Sequence, residues 1–370
     1  MIRSETDVFV IGGGPAGLAA AIAARQKGFS VTVADGAAPP IDKPCGEGLM
    51  PETQNALGDL GISLRNEPGY SFSGIRFLEG QSKVQGYFAQ GMGLGIRRTI
   101  LHERLIERAE QVGVQFHWKT PVTGITDKGV NLSNEFVEAN WIVGADGSAS
   151  RVRRWAGLDA ASRRTQRFAT RRHYHVKPWS EYMEIYWTDR TQAYVTPVSS
   201  EEVCVVMMAE IPRQPDFSAL QSLFPELHAR LHGAAISSRE RGTVTTMLSL
   251  HSVCRGNVAL VGDASGSVDA ITGEGMRLAF RQAQFLARAM ESGDLQSYAE
   301  DHRTLMRRPT FMANLLLLLG KNEPLRHRAF PVLNDHPELF TRILEIHTTK
   351  PAPSRWLATG ALLGWHFLAS

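Results

Sequence analysis

The sequence predicts an α/β fold in which a Rossmann-like dinucleotide-binding domain carries an inserted antiparallel β-sheet domain and ends in helices. Three observations predict it. The apolar run from Asp7 to Ile11 enters Gly12-x-Gly14-x-x-Gly17 and an alanine-rich segment, which is the strand, turn and helix of a mononucleotide-binding unit. Two further apolar segments, 30–34 and 141–145, end at Asp35 and Asp146, and a third, 257–261, delivers Gly262-Asp263. Between them lie stretches that alternate with period two and are rich in aromatic residues, as half-buried strands are.

In the first turn, Gly12 permits the tight bend, Gly14 lets the backbone approach a pyrophosphate, and Gly17 lets the helix pack close to the sheet. Pro15 and Ala16 belong to the same turn, where the helix N-terminus offers free N–H groups to phosphates. Asp35, eighteen residues after Gly17, can accept hydrogen bonds from an adenosine ribose. The cofactor domain is read as discontinuous, built from residues 1–69, 96–165 and 251–292. The sheet domain takes 70–95 and 166–250, and a helical region takes 293–370.

With 370 residues, 43% of them apolar, the chain can bury a large core in two domains. A net charge of +3 gives no reason to expect nucleic-acid binding. Arg163, Arg164, Arg167, Arg171, Arg172 and Lys177 cluster, and a solvated loop entering a strand is the preferred reading over an anion site. Cys45, Cys204 and Cys254 form no metal pattern, so no metal is expected, and no secretory signal precedes the first strand. A cytoplasmic protein is expected. The apolar stretches 311–320 and 356–369 are shorter than the ~20 residues a spanning helix needs. Packing on the body of the protein is the preferred reading for them, with peripheral contact at a bilayer surface as the alternative. The oligomeric state stays open.

Asp146-Gly147 is followed by Ser150 and Arg153 at D-G-x-x-S-x-x-R spacing, then come Gly262-Asp263 and the turn Thr272-Gly273-Glu274-Gly275-Met276. These three motifs, in this order, resemble the flavoprotein superfamily of p-hydroxybenzoate hydroxylase, geranylgeranyl reductases and flavin-dependent halogenases. The resemblance implies a glutathione-reductase-type domain holding FAD rather than NAD. It implies that Gly12, Gly14 and Gly17 form the pyrophosphate turn, Asp35 binds ribose, and Gly262-Asp263 meets the ribityl chain. Arg98 resembles an arginine that contacts the cofactor, although relatives carry Asp where this chain has His102. The Asp146 segment resembles one that serves FAD and pyridine nucleotides; a capped strand-to-helix turn is the other reading.

Gly273, Glu274, Gly275 and Met276 would bring backbone N–H groups to the charge of a reduced flavin. Asp269 stands where related hydroxylases have a nearby proline, leaving an acidic side chain near the ring. The segment from Asp42 to Pro51 resembles the K-P-C-G-G-G stretch of geranylgeranyl reductases, which runs beside the flavin, and places Cys45 and Gly46 there. Glu47 replaces a glycine. In a dry cavity its pKa would rise and it could serve as proton donor or base; the alternative is a capping or solvent-facing glutamate.

A second dinucleotide fingerprint is missing from the sequence, so electrons are expected from NAD(P)H docking transiently or from a separate reductase. The W-x-W-x-I-P segment of tryptophan-type halogenases is missing too, which argues against halogenation. The leading expectation is a flavin monooxygenase acting through a C4a-hydroperoxyflavin on an apolar or aromatic small molecule, with Tyr186, Trp187, Tyr194, Met207 and Met208 lining its pocket. The alternative is a geranylgeranyl-reductase-like flavoprotein that reduces C=C bonds of an isoprenoid or lipid. A third reading is a non-catalytic flavin-binding or redox-sensing protein.

Overall fold

The computed structural model describes residues 3–210 and 216–348. Its first strand, Arg3–Ile11, pairs in parallel with Val31–Asp35 on one side and Phe136–Gly144 on the other. Val8, Phe9 and Val10 are fully buried, as a central parallel strand covered on both faces requires. The sheet runs Cys254–Arg255, Val258–Leu260, Phe136–Gly144, Arg3–Ile11, Val31–Asp35, Gln115–Trp118. Val122–Thr126 and Gly129–Leu132 add an antiparallel meander at Phe136–Gly144.

Helix Pro15–Gln26 packs between this sheet and two later helices, Arg98–Gln111 and Gly275–Ser292. Its alanines permit that crowding, because between the buried Leu18 and Ile22 most positions present only a methyl group to the neighbours. Gly12 sits at φ 115, and a Cβ there would lie 2.4 Å from the Ala145 carbonyl oxygen. A Cβ on Gly17 would lie 1.8 Å from the Gly12 carbonyl oxygen, so the bend and the close helix approach both demand glycine.

The two inserted segments join in one sheet, ordered Ala235–Ile236, Ala161–His175, Glu202–Glu210, Thr191–Ser199, Tyr182–Thr188, Gly74–Glu79, Ser82–Tyr87, with Arg241–Leu250 also on Ala161–His175. It departs from the expected antiparallel pattern at one pair: Gly74–Glu79 runs parallel to Tyr182–Thr188, because the two come from different insertions and need no hairpin. Period-two alternation divides the expected pocket residues between the faces. Tyr186 and Met207 face a cluster with Phe217, Leu220 and Leu227. Trp187, Tyr194 and Met208 face the other way, toward Met50 and Ile271 of the cofactor domain and Phe330 and Phe340 of the C-terminal helices.

The arginine cluster departs from the solvated-loop expectation. Its five arginines lie on the 15-residue strand Ala161–His175, where Arg167 and Arg171 are each 1% exposed, while Lys177 follows the strand and is exposed. The C-terminal helices Leu295–Lys321, Glu323–Asp335 and Pro337–Thr348 pack on the body of the protein: Phe330, Leu333, Phe340 and Leu344 sit against Phe77 and Val84 of the sheet. No helix among the described residues is long and apolar enough to cross a membrane. The apolar stretch 356–369 lies outside the described residues.

Candidate cofactor cleft and active site

The glycine turn is braced from two sides. Asp35 accepts the Gly13 N–H at 2.7 Å and the Ala37 N–H at 2.8 Å through different carboxylate oxygens, which fixes its position and leaves lone pairs for a ribose. His102 is fully buried. Its Nε2 lies 2.7 Å from the Gly13 carbonyl oxygen, and the Ile41 N–H points at Nδ1 at 3.4 Å. A carbonyl only accepts, so the proton belongs on Nε2, and Nδ1 is the acceptor. Burial lowers the imidazole pKa, which keeps this neutral form. The imidazole thus ties the turn to residue 41.

Asp263 follows strand Val258–Leu260, in the turn Gly262–Ser265. Its side chain is reached by water, yet the surrounding protein raises its carboxyl above the usual range while Arg98 and Lys43 pull it down. Gly262, at φ 60, packs on Ala16, and its N–H donates to Gln282 Oε1 at 2.7 Å. The Asp146 carboxylate starts helix Arg151–Trp155: it accepts from the Ser150 hydroxyl at 2.6 Å and from the Arg151 and Val152 N–H groups at 2.6 and 3.2 Å. Arg153 then reaches the Ala264 carbonyl at 3.2 Å. The D-G-x-x-S-x-x-R motif therefore braces the Asp263 turn through Arg153, with the Asp146 oxygens engaged in capping.

Glu47 is 2% exposed and adopts φ 57, the left-handed conformation that favours the glycine seen at this place in the resembling segment. Its Oε1 accepts the Arg98 N–H at 2.9 Å and lies 3.3 Å from Arg171 Nη1; its Oε2 lies 2.7 Å from His173 Nε2. His173 Nδ1 meets the Ser238 hydroxyl at 2.7 Å. Arg171 also grips both oxygens of Asp42 at 2.9 Å. The expected dry cavity is thus replaced by an ion-pair cluster, with Glu47 capping helix Arg98–Gln111 from outside. Ligand atoms of Glu47, His173 and Cys204 lie within 4.8 Å of one another. Burial pushes the Cys204 thiol well up and Arg171 already supplies a cation, so the group is closed by its own hydrogen bonds. Cys45 accepts the Glu47 N–H at 3.4 Å, and its carbonyl takes the Cys204 thiol at 3.7 Å.

Asp269 is 2% exposed. It caps the turn Ala270–Thr272 through the Ile271 N–H at 3.0 Å and pairs with Arg167 Nη1 at 3.0 Å. Arg167 also donates to Gln192, and Tyr194 sits against it. Behind this turn, Gly273 lies at φ 67 beside Met50, and Gly275 begins an 18-residue helix. Glu274 is buried, bonded to Arg277 at 2.8 Å through Oε1. Met276 packs on the main core. Arg167, Arg171 and His173 were missed as site residues. Their signal was parity, because odd positions of one strand share a face.

Several features suit a bound dinucleotide. No atom lies within 4 Å of the position a Cβ would take on Gly14, Gly46 or Gly275, so the backbone there is open to a ligand. Arg98 Nε and Glu274 Oε2 are buried without a hydrogen-bond partner among the described residues. The model of the FAD binding domain matches residues 5–293. The chain belongs to this FAD-binding family. Menaquinone reductase of Mycolicibacterium smegmatis is 25% identical over 333 residues, 82% of this chain and 81% of the relative. Digeranylgeranylglycerophospholipid reductase of Methanosarcina mazei is 28% identical over 307 residues, 74% and 72%. The fold is similar to that of a flavoprotein/dehydrogenase from Cytophaga hutchinsonii, with a TM-score of 0.81, 19% identity, and 94% and 93% of the chains covered. The resemblance to hydroxylase and geranylgeranyl reductase flavoproteins holds.

In this FAD-binding oxidoreductase the open turn at Gly14 would take the pyrophosphate, Asp35 a ribose, and Asp263 and Arg98 the middle of the molecule. Bound FAD supplies two-electron chemistry. The free N–H groups at the start of helix Gly275–Ser292 favour negative charge beside them.

Proposed function

We propose that this flavoprotein reduces a carbon–carbon double bond of an apolar, isoprenoid-type molecule. One observation carries the reading. Met183, Ile185, Val206 and Met208 pack with Met50 and Ile271 in one buried apolar cluster, a closed wall where the sheet joins the cofactor domain. A hydrocarbon matches such a wall because burying it strips no hydrogen bonds from water. Relatives sharing most of the chain are named for reduction of menaquinone and of digeranylgeranylglycerophospholipids, which supports the same class.

Reduction adds a hydride to one carbon and a proton to the other. The apolar wall would orient the chain and exclude water, and the start of helix Gly275–Ser292 would favour the negative charge of the reduced cofactor, which departs with the hydride. Glu47 and His173 meet at 2.7 Å beside the Cys45–Gly46 backbone, and Asp269 positions Arg167. NAD(P)H is the proposed electron donor. Oxygen transfer to an aromatic substrate is the second reading, favoured by the same exclusion of water.

One experiment separates them. The FAD-loaded protein is reduced and mixed anaerobically with menaquinone or a geranylgeranyl lipid, and flavin absorbance and product mass are followed. Oxidation of the flavin without O2, with product gaining two hydrogens per double bond, is the expected result. A product that gains an oxygen atom and forms only when O2 is admitted would replace it with the second reading.

A further inference from the structure

A cleft of about 490 Å³ lies between strand Arg241–Leu250, with the loop after it, and one face of helix Leu295–Lys321. Gln296, Ala299, Arg303, Arg307 and Thr310 contribute from the helix at spacings of three and four, which places them in one row. His251 and His302 add two imidazoles, and no lining residue is a carboxylate. Asp301, next along the helix, lies 3.9 Å from Arg288 instead. Among the described residues the exposed side chains of Arg303 and Arg307 have neither an ion pair nor a hydrogen bond.

Two arginines four residues apart on a helix repel one another, and among the described residues no carboxylate pairs with either. Guanidinium forks match the oxygens of carboxylate and phosphoryl groups alike, and the higher charge of a phosphoryl group suits two of them side by side. Leu248, Leu250 and Met306 form an apolar part of the same lining. The volume suits a ligand of organic-cofactor size, about 300–1,000 Å³, rather than a bare ion. We propose that this cleft binds a phosphoryl group carried on an organic body, with Arg303 and Arg307 as its anion contacts. The site is distinct from the pyrophosphate turn at Gly14, and it touches the cofactor cleft from behind. Ser265 lines it, meets His302 Nε2 at 3.0 Å and donates to the Gly262 carbonyl at 2.8 Å, in the turn that carries Asp263.

Calorimetric titration of FAD-loaded protein with sodium pyrophosphate tests this, since bound FAD already fills the Gly14 turn. Saturable binding is expected. It should weaken tenfold or more in the double variant Arg303→Ala/Arg307→Ala, with FAD content unchanged, and stay the same in Arg328→Ala, outside the cleft. Absent saturation, a double variant equal to wild type, or an equal loss in Arg328→Ala would each overturn the site. Displacement of pyrophosphate by NADPH identifies a nucleotide as the source of the phosphoryl group, and displacement by farnesyl diphosphate identifies a lipid precursor. Displacement by neither would overturn the organic body.

Discussion

Glu47 and His173 meet across 2.7 Å with side chains 1% and 0% exposed, and Arg171 lies 3.3 Å away on the other carboxylate oxygen. Removing the carboxylate leaves a buried cation short of a partner, which costs about 3–5 kcal/mol. Alanine keeps the left-handed strain of about 1–2 kcal/mol that Glu47 already bears, whereas glycine relieves it and glutamine keeps an acceptor for the Arg98 N–H. Melting temperatures should therefore fall in the order wild type, Glu47→Gln, Glu47→Gly, Glu47→Ala. Equal values for glycine and alanine would count against the left-handed backbone. Glu47→Gln should slow turnover with FAD retained; an unchanged rate would make the residue purely structural.

Asp263 lies near Arg98 and Lys43, where its carboxylate would meet the middle of bound FAD. Losing a charged hydrogen-bond acceptor costs about 1.5–3 kcal/mol, so Asp263→Ala should weaken FAD binding about 10- to 100-fold. The flavin-to-protein absorbance ratio after desalting reports it. Wild-type flavin content in the variant would remove Asp263 from the cofactor site.

Gly14 and Gly17 should separate binding from folding. A Cβ on Gly17 strikes the Gly12 carbonyl, while one on Gly14 meets nothing within 4 Å and suits that residue's φ of −75. Gly17→Ala is therefore expected to lower the melting temperature of the apoprotein. Gly14→Ala should leave it within about 0.5 kcal/mol of wild type and still lose FAD affinity, because its methyl enters the space left for phosphate.

Acid should destabilise the fold through buried imidazoles. Burial, helped by the charge of Arg303, pushes His302 down to about 4 from its ordinary 6.5, and burial lowers His102 as well. Above pH 6.5 both states are neutral and this stability is fully present. Between 6.5 and 4 the unfolded chain takes up a proton that folded His302 refuses, so stability falls by about 3 kcal/mol. Calorimetric melting at pH 7 and pH 4.5 should show the drop, and His302→Gln should flatten it.

The glycine turn, Asp35 and Asp263 were legible because each motif is local: a strand, a bend and a helix start within a few residues. The arginines of strand Ala161–His175 were not, since Arg167 finds Asp269, and Arg171 finds Asp42 and Glu47, more than a hundred residues away in the chain. Charge density alone reads as solvation until those partners are known. Asp146 was ambiguous for a different reason. A carboxylate before Ser150 suits a cap and a ligand equally in one dimension, and the cap shows only when Ser150 and the Arg151 N–H close on it. Glu47 was noticed as an exception to a glycine pattern, but its pairing with His173 and Arg171 depends on the inserted sheet folding over it.

Helix Pro15–Gln26 has helix Gly275–Ser292 as a neighbour, and strand Val258–Leu260 flanks Phe136–Gly144 beside the first strand. During synthesis the opening turn therefore emerges long before the elements that cover it. Until the ribosome has released nearly three hundred residues, the alanine face of that first helix lacks its partner and Asp263 does not yet exist. Cofactor capture is thus a late event in biogenesis, and the nascent chain must carry an unfinished parallel sheet, open to wrong pairings, for most of its translation.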